Sequence, residues 1–354
     1  MIREKSRTMD TFSVEKLMHH LRLYEGCGNM LGIAPLTLAG YPPGSNWLED
    51  RELRKFLYSW GLKIHSDSVM VLTGDPQNPS QTYDFFMDVY EPSGTDATGE
   101  GLAGGVSTMC GNGIRAVAAY ARTFNPDITV ARIMSRSGLR TVGIDRDRNL
   151  YAVDMGEFTS RRDDLSQYVQ SDLVGQTYDG TYIESPIPAE IYDALKQHVS
   201  ATMWSIGLTG DRNASGCIDG EPHVVINVPR DRVSDIQGLR RLAVAAGPIV
   251  TKALSCFPFE ISANFIVVAG KEDGKLVVWN CTHERNLGSD SDHSVTAACG
   301  TGSTVVGAIM FLNRPTQPDN ILEVHNTGGI LEISQHPKTR RLILTGPANP
   351  VPLE

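Results

Sequence analysis

Two cysteines in this chain occupy matching settings. Cys110 lies in STMCGNGIRAVAAY and Cys299 lies in TAACGTGSTVVGAI. In both, the order is cysteine, glycine, a small polar residue and a second glycine, then apolar residues at helical spacing. A repeat of this kind favours a fold of two halves, each presenting a thiol at the start of a helix. If the halves face each other, the thiols converge on one cleft. Two acid–base groups across a cleft suit removal of a proton from one face of a carbon and its return to the other.

The flanking elements repeat in order as well. LRLYEGCGNMLGIAPL reads as strand, glycine turn and strand, and LEDRELRKFLYSWGL as a helix ending at its glycine. DSVMVLTG and YDFFMDVYE follow as strands. The segment PSGTDATGEGLAGG is either a flexible linker or a mobile loop leading into Cys110. After the first motif helix come the strands ITVARIMSRSG, RTVGIDRDR and NLYAVDMGE. The second half brings HVVINVPR, a helix over VSDIQGLRRLAVAAGPIVTKAL, strands in EISANFIVVAG and KLVVWNCTHER, and the Cys299 helix. It closes with the hairpin NILEVHNTGGILEISQ and the strand RRLILTGPA. The stretch from Thr159 to Asn213 is the hardest to read; ESPIPAEIYDALKQHVSATMW suggests a strand and then a helix.

Composition removes several classes of function. The formal net charge of −9 argues against a nucleic-acid backbone as partner. No apolar run has the length of a membrane span, and MIREKSRTMDTFSVEKLMHH lacks the apolar core of a signal peptide. The six cysteines form no CxxC pair and suit neither a disulfide scaffold nor a zinc site, so a reducing cytoplasm is expected. No lysine sits in a motif for a Schiff base. The expectation is chemistry on a small molecule with no cofactor and no metal.

The motif supplies what α-proton removal from an amino acid requires. The amides of Gly111, Asn112, Gly300 and Thr301 would be unpaired donors at helix starts, suited to a substrate carboxylate on which charge builds up. The same helix ends are expected to lower the pKa of a neighbouring thiol. One cysteine would then act as thiolate and the other as thiol.

With these residues in place, the chain resembles the diaminopimelate epimerase family, racemases and epimerases that use no pyridoxal phosphate. GCGNMLGI resembles the family's GLGNDF segment, and DFFMDVYEPSG its FNADG strand and turn. MCGNG is identical to the motif around the first catalytic cysteine. DGEPHVVINV resembles the GNPH segment, FPFEISANFIVV the FP…NVNF strand, THERNLGSDSDHSVTAACGTG the ERG…ACGTG segment, and LILTGPA the closing strand. The resemblance runs from about Leu21 through most of the chain. It implies an α+β fold of two pseudo-symmetric halves, each a mostly antiparallel sheet wrapped around a central helix. The implied organisation is a tail over 1–20, an N-terminal half over 21–157, a C-terminal half over 158–344, and a segment over 345–354 returning to the first half. It also implies Cys110 and Cys299 as the acid–base pair, with His223 assisting Cys110 and Glu284 assisting Cys299. Asn29, Asn264 and Arg285 match positions around the substrate. A homodimer is a further implication.

Two departures bear on the substrate. Where family members that act on diaminopimelate use asparagine to read the distal end, this chain has Glu91 and Glu221. A carboxylate beside a distal carboxylate is repelled, whereas one beside a cation gains. The expected substrate is therefore an amino acid with a basic side chain, such as histidine, lysine, ornithine or arginine. Three alternatives stay open: diaminopimelate epimerase itself, a non-catalytic amino-acid-binding protein, and a redox sensor linking Cys110 to Cys299.

Overall fold

The computed structural model describes residues 12–41, 46–73, 83–92, 105–170, 185–285, 294–313 and 321–353. Most of the expected tail, the loops around residues 42–45 and 74–82, the glycine-rich stretch before Cys110 and residues 171–184 and 286–293 lie outside the described residues.

The first half opens with a hairpin of β1 (Arg22–Gly26) and β2 (Asn29–Pro35). Its turn residues Cys27 and Gly28 have φ of 54° and 82°. The helix Arg51–Lys63 crosses over to β3 (Ser68–Leu72), parallel to β2, and β4 (Phe85–Glu91) returns antiparallel. Past the short β5 (Gly105–Ser107), the helix Gly111–Ala121 leads to β6 (Val130–Ser135), parallel to β4. The meander ends with β7 (Gly138–Asp145) and β8 (Leu150–Thr159).

After the two-residue β9 (Ser185–Pro186), the second half repeats this plan. A hairpin of β10 (Met203–Arg212) and β11 (Ile218–Asn227) is followed by the helix Ile236–Thr251. Next come β12 (Ser262–Glu272), parallel to β11, and the antiparallel β13 (Lys275–His283). The helix Gly300–Asn313 leads to β14 (Ile321–Asn326), parallel to β13, then β15 (Gly329–Gln335) and β16 (Leu342–Pro347). A last strand, β17 (Asn349–Val351), continues the line of β16. The architecture is thus α+β, with two pseudo-symmetric halves.

Each half closes by borrowing a strand from the other. β8 pairs with β7 of its own half, but also with β16 and, over Glu157–Thr159, with β10. That completes an eight-stranded ring in the second half. β16 pairs with β8, and β17 pairs with β1, which completes the first. Gly156 marks the bend where β8 passes between halves: its φ is 87°, and a Cβ there would sit 2.1 Å from Gly210 O. Only glycine fits both demands.

The helices divide by role. All eleven residues of Gly111–Ala121 are buried, and apart from Arg115 and Tyr120 its sequence is small or apolar, as suits a helix enclosed by a sheet. The crossover helices are amphipathic. Arg51–Lys63 buries Leu53, Leu57 and Trp60 behind an Asp50 cap, and Ile236–Thr251 buries Leu239, Ala243, Ala246 and Val250 behind an Asp235 cap. The helix expected to stop at Gly61 runs on to Lys63. Gly61 is instead a contact point, since a Cβ there would lie 2.3 Å from Pro92 Cγ. The poorly readable stretch after Thr159 contains β10, whose residues from Trp204 to Gly210 are all buried. A strand covered on both faces shows no alternation to read.

Candidate active site

Each motif cysteine stands immediately before its central helix, where a serine or aspartate cap usually stands. Cys110 Sγ accepts the amide of Gly113 at 3.3 Å, and Cys299 Sγ accepts that of Gly302 at 3.4 Å. The first carbonyl-paired amides are Ile114, to Cys110 O, and Ser303, to Cys299 O. The amides of Gly111, Asn112, Gly300 and Thr301 show no hydrogen-bond partner among the described residues, as expected of a helix start.

The glycines let the two helix ends meet. A Cβ on Gly111 would stand 3.6 Å from Gly300 Cα, and one on Gly300 would stand 3.4 Å from Gly111 Cα. Both would also press on Leu344 Cδ2, at 2.9 and 3.0 Å. The second glycines are equally confined: Gly113 by Met70 Sδ at 2.2 Å, Gly302 by Asn264 Nδ2 at 2.5 Å. The junction is cross-linked by polar contacts. Asn29 Nδ2 and Asn112 Nδ2 both donate to the carbonyl of Ala298, at 2.6 and 2.8 Å, and Arg115 Nη2 donates to Asn112 Oδ1 at 2.6 Å.

A cavity of about 380 Å³ opens at this junction, lined by both cysteines together with Asn29, Gly111, Asn112, Gly300, Thr301, Glu91 and Glu284. A polar recess of about 70 Å³ adjoins it, lined by Glu91, Ser107, Glu221, His223, Arg285 and Cys299. Asn264 lies behind this recess, fully buried. The candidate residues from the two motifs and the two glutamate segments therefore share one site. Sequence reading missed the turn His65–Ser68, which forms a further wall of the cavity, with Asp67 accepting the amide of Met30 at 2.7 Å. Nothing in its spacing marks it as site-forming. Thr296 and Ser107 were missed for the same reason. Thr296 Oγ1 donates to Glu284 Oε1 at 2.8 Å and Ser107 Oγ to Glu91 Oε1 at 2.5 Å.

The electrostatics of the cleft differ from expectation. Burial pushes the Cys110 thiol up to about 12 and outweighs the Gly113 amide that favours the thiolate. Burial, then the charge of Glu284, holds Cys299 well above the ordinary thiol range. The helix-end effect exists at both sulfurs but is the smaller influence. Glu284 is itself raised to about 7, chiefly by burial. Burial also raises Glu91, with the charge of Glu221 adding to it and the Ser107 hydroxyl opposing it.

Two partnerships also differ. His223 was expected beside Cys110, but its ring nitrogens are bonded to Asn264 Oδ1 at 2.8 Å and Thr301 Oγ1 at 3.1 Å. Arg285 and Glu221 form an ion pair with each other. Of the two glutamates expected to face the substrate, Glu221 thus has its charge balanced, and Glu91, among the described residues, is bonded by the Ser107 hydroxyl alone.

No family model matches the chain. A diaminopimelate epimerase from Agathobacter rectalis is 28% identical over 293 residues, covering 81% of this chain and 84% of the relative. The chain is similar to the diaminopimelate epimerase family over about four fifths of its length. Like those relatives, it is an isomerase of the epimerase and racemase kind. Solved structures show the fold. A predicted epimerase from Pseudomonas aeruginosa aligns with a TM-score of 0.55 at 12% identity, covering 94% of this chain and 96% of that one. A hydroxyproline epimerase from Agrobacterium vitis aligns with a TM-score of 0.51 at 15% identity, over 94% and 90%.

Proposed function

We propose that this chain is an amino-acid racemase or epimerase that needs no pyridoxal phosphate and inverts the α-carbon between Cys110 and Cys299. The observation that carries this reading is the meeting of two thiol-capped helix starts in one cavity. The α-carboxylate would lie at the amides of Gly111, Asn112, Gly300 and Thr301. Charge developing on that carboxylate as the α-proton leaves would be stabilised where donors already point at it. One thiolate takes the proton and the opposite thiol returns one to the other face. Glu284, raised to about 7 beside Cys299, is matched to neutral pH and can exchange a proton with that cysteine when the pair is reset.

The side-chain end of the substrate would extend into the recess. There Arg285 and Glu221 form an ion pair, while Glu91, among the described residues, is held by the Ser107 hydroxyl and makes no ion pair. A carboxylate held above its ordinary range by burial gains from a cation brought beside it. That supports a basic amino acid. A charge-assisted contact of about 1.5–3 kcal/mol corresponds to roughly a tenfold to hundredfold preference.

Incubation in deuterated water with histidine, lysine, ornithine, arginine and diaminopimelate tests both parts. Loss of the α-proton signal with a basic amino acid is expected, and loss with none of the five would overturn the reading. Replacing Glu91 by asparagine should reduce the ratio of specificity constants, basic amino acid over diaminopimelate, by about tenfold or more. Replacing Glu221 by asparagine should release Arg285 and favour diaminopimelate further. A wild-type preference for diaminopimelate would return the chain to the activity named for its relatives.

A further inference from the structure

The interior of the second half holds a chain of hydrogen bonds whose direction can be worked out from one end. Asn326 Nδ2 lies 3.1 Å from the backbone carbonyl of Val324. A carbonyl only accepts, so this end of the Asn326 amide is its donor. Its Oδ1 therefore faces the other way, towards Asn280 Nδ2 at 3.1 Å. Asn280 must then turn its Oδ1 to Asn264, whose Nδ2 donates to it at 3.0 Å and to Thr282 Oγ1 at 2.9 Å. That leaves Asn264 Oδ1 facing His223 Nδ1 at 2.8 Å, so Nδ1 carries the hydrogen. Burial pushes His223 down to about 4, so the ring is neutral near neutral pH and Nε2 keeps a lone pair. Thr301 Oγ1, 3.1 Å from Nε2, has a single hydrogen and directs it there. The same hydroxyl stands 3.4 Å from Cys299 Sγ, where it can now only accept.

We propose that this one-way chain, running from the carbonyl of Val324 through Asn326, Asn280, Asn264, His223 and Thr301, holds Cys299 as the thiol of the resting pair. His223 and Asn264 are then positioning residues that act on Cys299 through Thr301, not on Cys110. The proposal rests on the reading of the two cysteines as the acid–base pair, but its geometry does not depend on the substrate. The two sulfurs are unequal in their surroundings. Cys299 meets the Thr301 oxygen and, beside it, the carboxyl of Glu284. Among the described residues, Cys110 has only the Gly113 amide as hydrogen-bond partner, and the fully buried Arg115 lies one turn along its helix. Cys110 is the better placed to become thiolate when substrate arrives.

Two measurements test this. Nitrogen NMR of the full chain labelled on histidine nitrogen, with a His223→Gln sample to identify the signal, should show a neutral ring protonated on Nδ1 from about pH 6 to about pH 9. A ring protonated on Nε2, or a charged ring, would overturn the proposal. Iodoacetamide labelling across pH, followed peptide by peptide, gives the midpoint for each thiol separately from its accessibility. The other titratable groups around Cys299 are Glu284, Glu91, Cys110, His223, the Arg285–Glu221 pair and, on the far wall of the cavity, His65 and Asp67, and none of them is replaced in the Thr301 variants. The Cys299 midpoint should lie above that of Cys110. Thr301→Val removes the acceptor and should lower the Cys299 midpoint by about half a unit or more, while Thr301→Ser should keep it. An unchanged or raised midpoint in Thr301→Val would mean that the hydroxyl donates to the sulfur, against the proposal. If no amino acid is racemised but the tautomer and midpoints are as stated, the proposed function fails and this chain of bonds stands.

Discussion

A buried thiol is a weak acid, and burial holds both site cysteines as thiols. Burial outweighs the helix-end amides that would ionise them. On the proposed mechanism, turnover depends on both sulfurs being present to share one mobile proton. Cys110→Ala and Cys299→Ala should each lower racemisation by at least about a hundredfold, the lower end of what a positioned proton-transfer group contributes. Polarimetry with the preferred substrate reads the loss, and unchanged melting would show that the fold is intact. Near-normal turnover in either variant would remove the two-thiol mechanism. Glu284 gives a pH-dependent signature that is independent of activity. Its carboxyl is raised from 4.5 to about 7 in the folded chain. Between those values the folded protein keeps the proton that the unfolded chain has released. Stability from this group is thus complete below about pH 4.5 and lost as pH rises through about 7. Thermal melts of wild type against Glu284→Gln should show the wild type losing ground across that window. A constant difference would mean that burial does not raise this group.

At the scale of elements, the site is where two helices meet end to end. The four motif glycines permit it by contact distance, because each would-be Cβ meets a packed neighbour. Gly300→Ala should press on Leu344 and on the facing helix, costing about 1–3 kcal/mol of stability as overpacking does. The amides of Gly300 and Thr301 would be displaced with it. Leu344→Val in the same chain should return part of that loss, and a double-mutant cycle with no coupling would show that the two helix ends are not in contact. This junction was legible in the sequence because glycines around a cysteine are uncommon and occur twice in one order. The crossover helices were legible from their caps and apolar spacing. The partners of the site were not. Arg285 and Glu221 are far apart in sequence and both looked available to substrate, while their pairing is a property of the folded recess. The Asn264, Asn280 and Asn326 ladder lies on three neighbouring strands, the first two a hairpin and the third added by a helical crossover, and no local pattern announces it.

At the scale of the whole molecule, the two halves cannot be separated without opening both. β8 belongs to the first half by its pairing with β7, yet it closes the second against β10. β16 belongs to the second, yet its continuation β17 closes the first against β1. The seam is reinforced where Arg341 bonds Asp154 at 2.8 and 2.9 Å and Asp211 at 2.7 Å. Arg115, beneath it, packs so closely that a Cβ on Gly346 would lie 1.7 Å from its Nη1. The junction of the two cysteine-capped helices sits on this same seam, since Leu344 of β16 underlies both helix starts. The closing strands are therefore structural members of both rings. Truncation after Arg341 removes β16 and β17 and leaves unpaired edges on β1, β8 and β15, each a template for aggregation. The truncated chain is expected to lose its cooperative melting transition and most of its solubility, although only 13 of its 354 residues are gone. Calorimetry of the soluble fraction makes the comparison. A truncated chain that still melts cooperatively near the wild-type temperature would mean that each half closes without the exchanged strands.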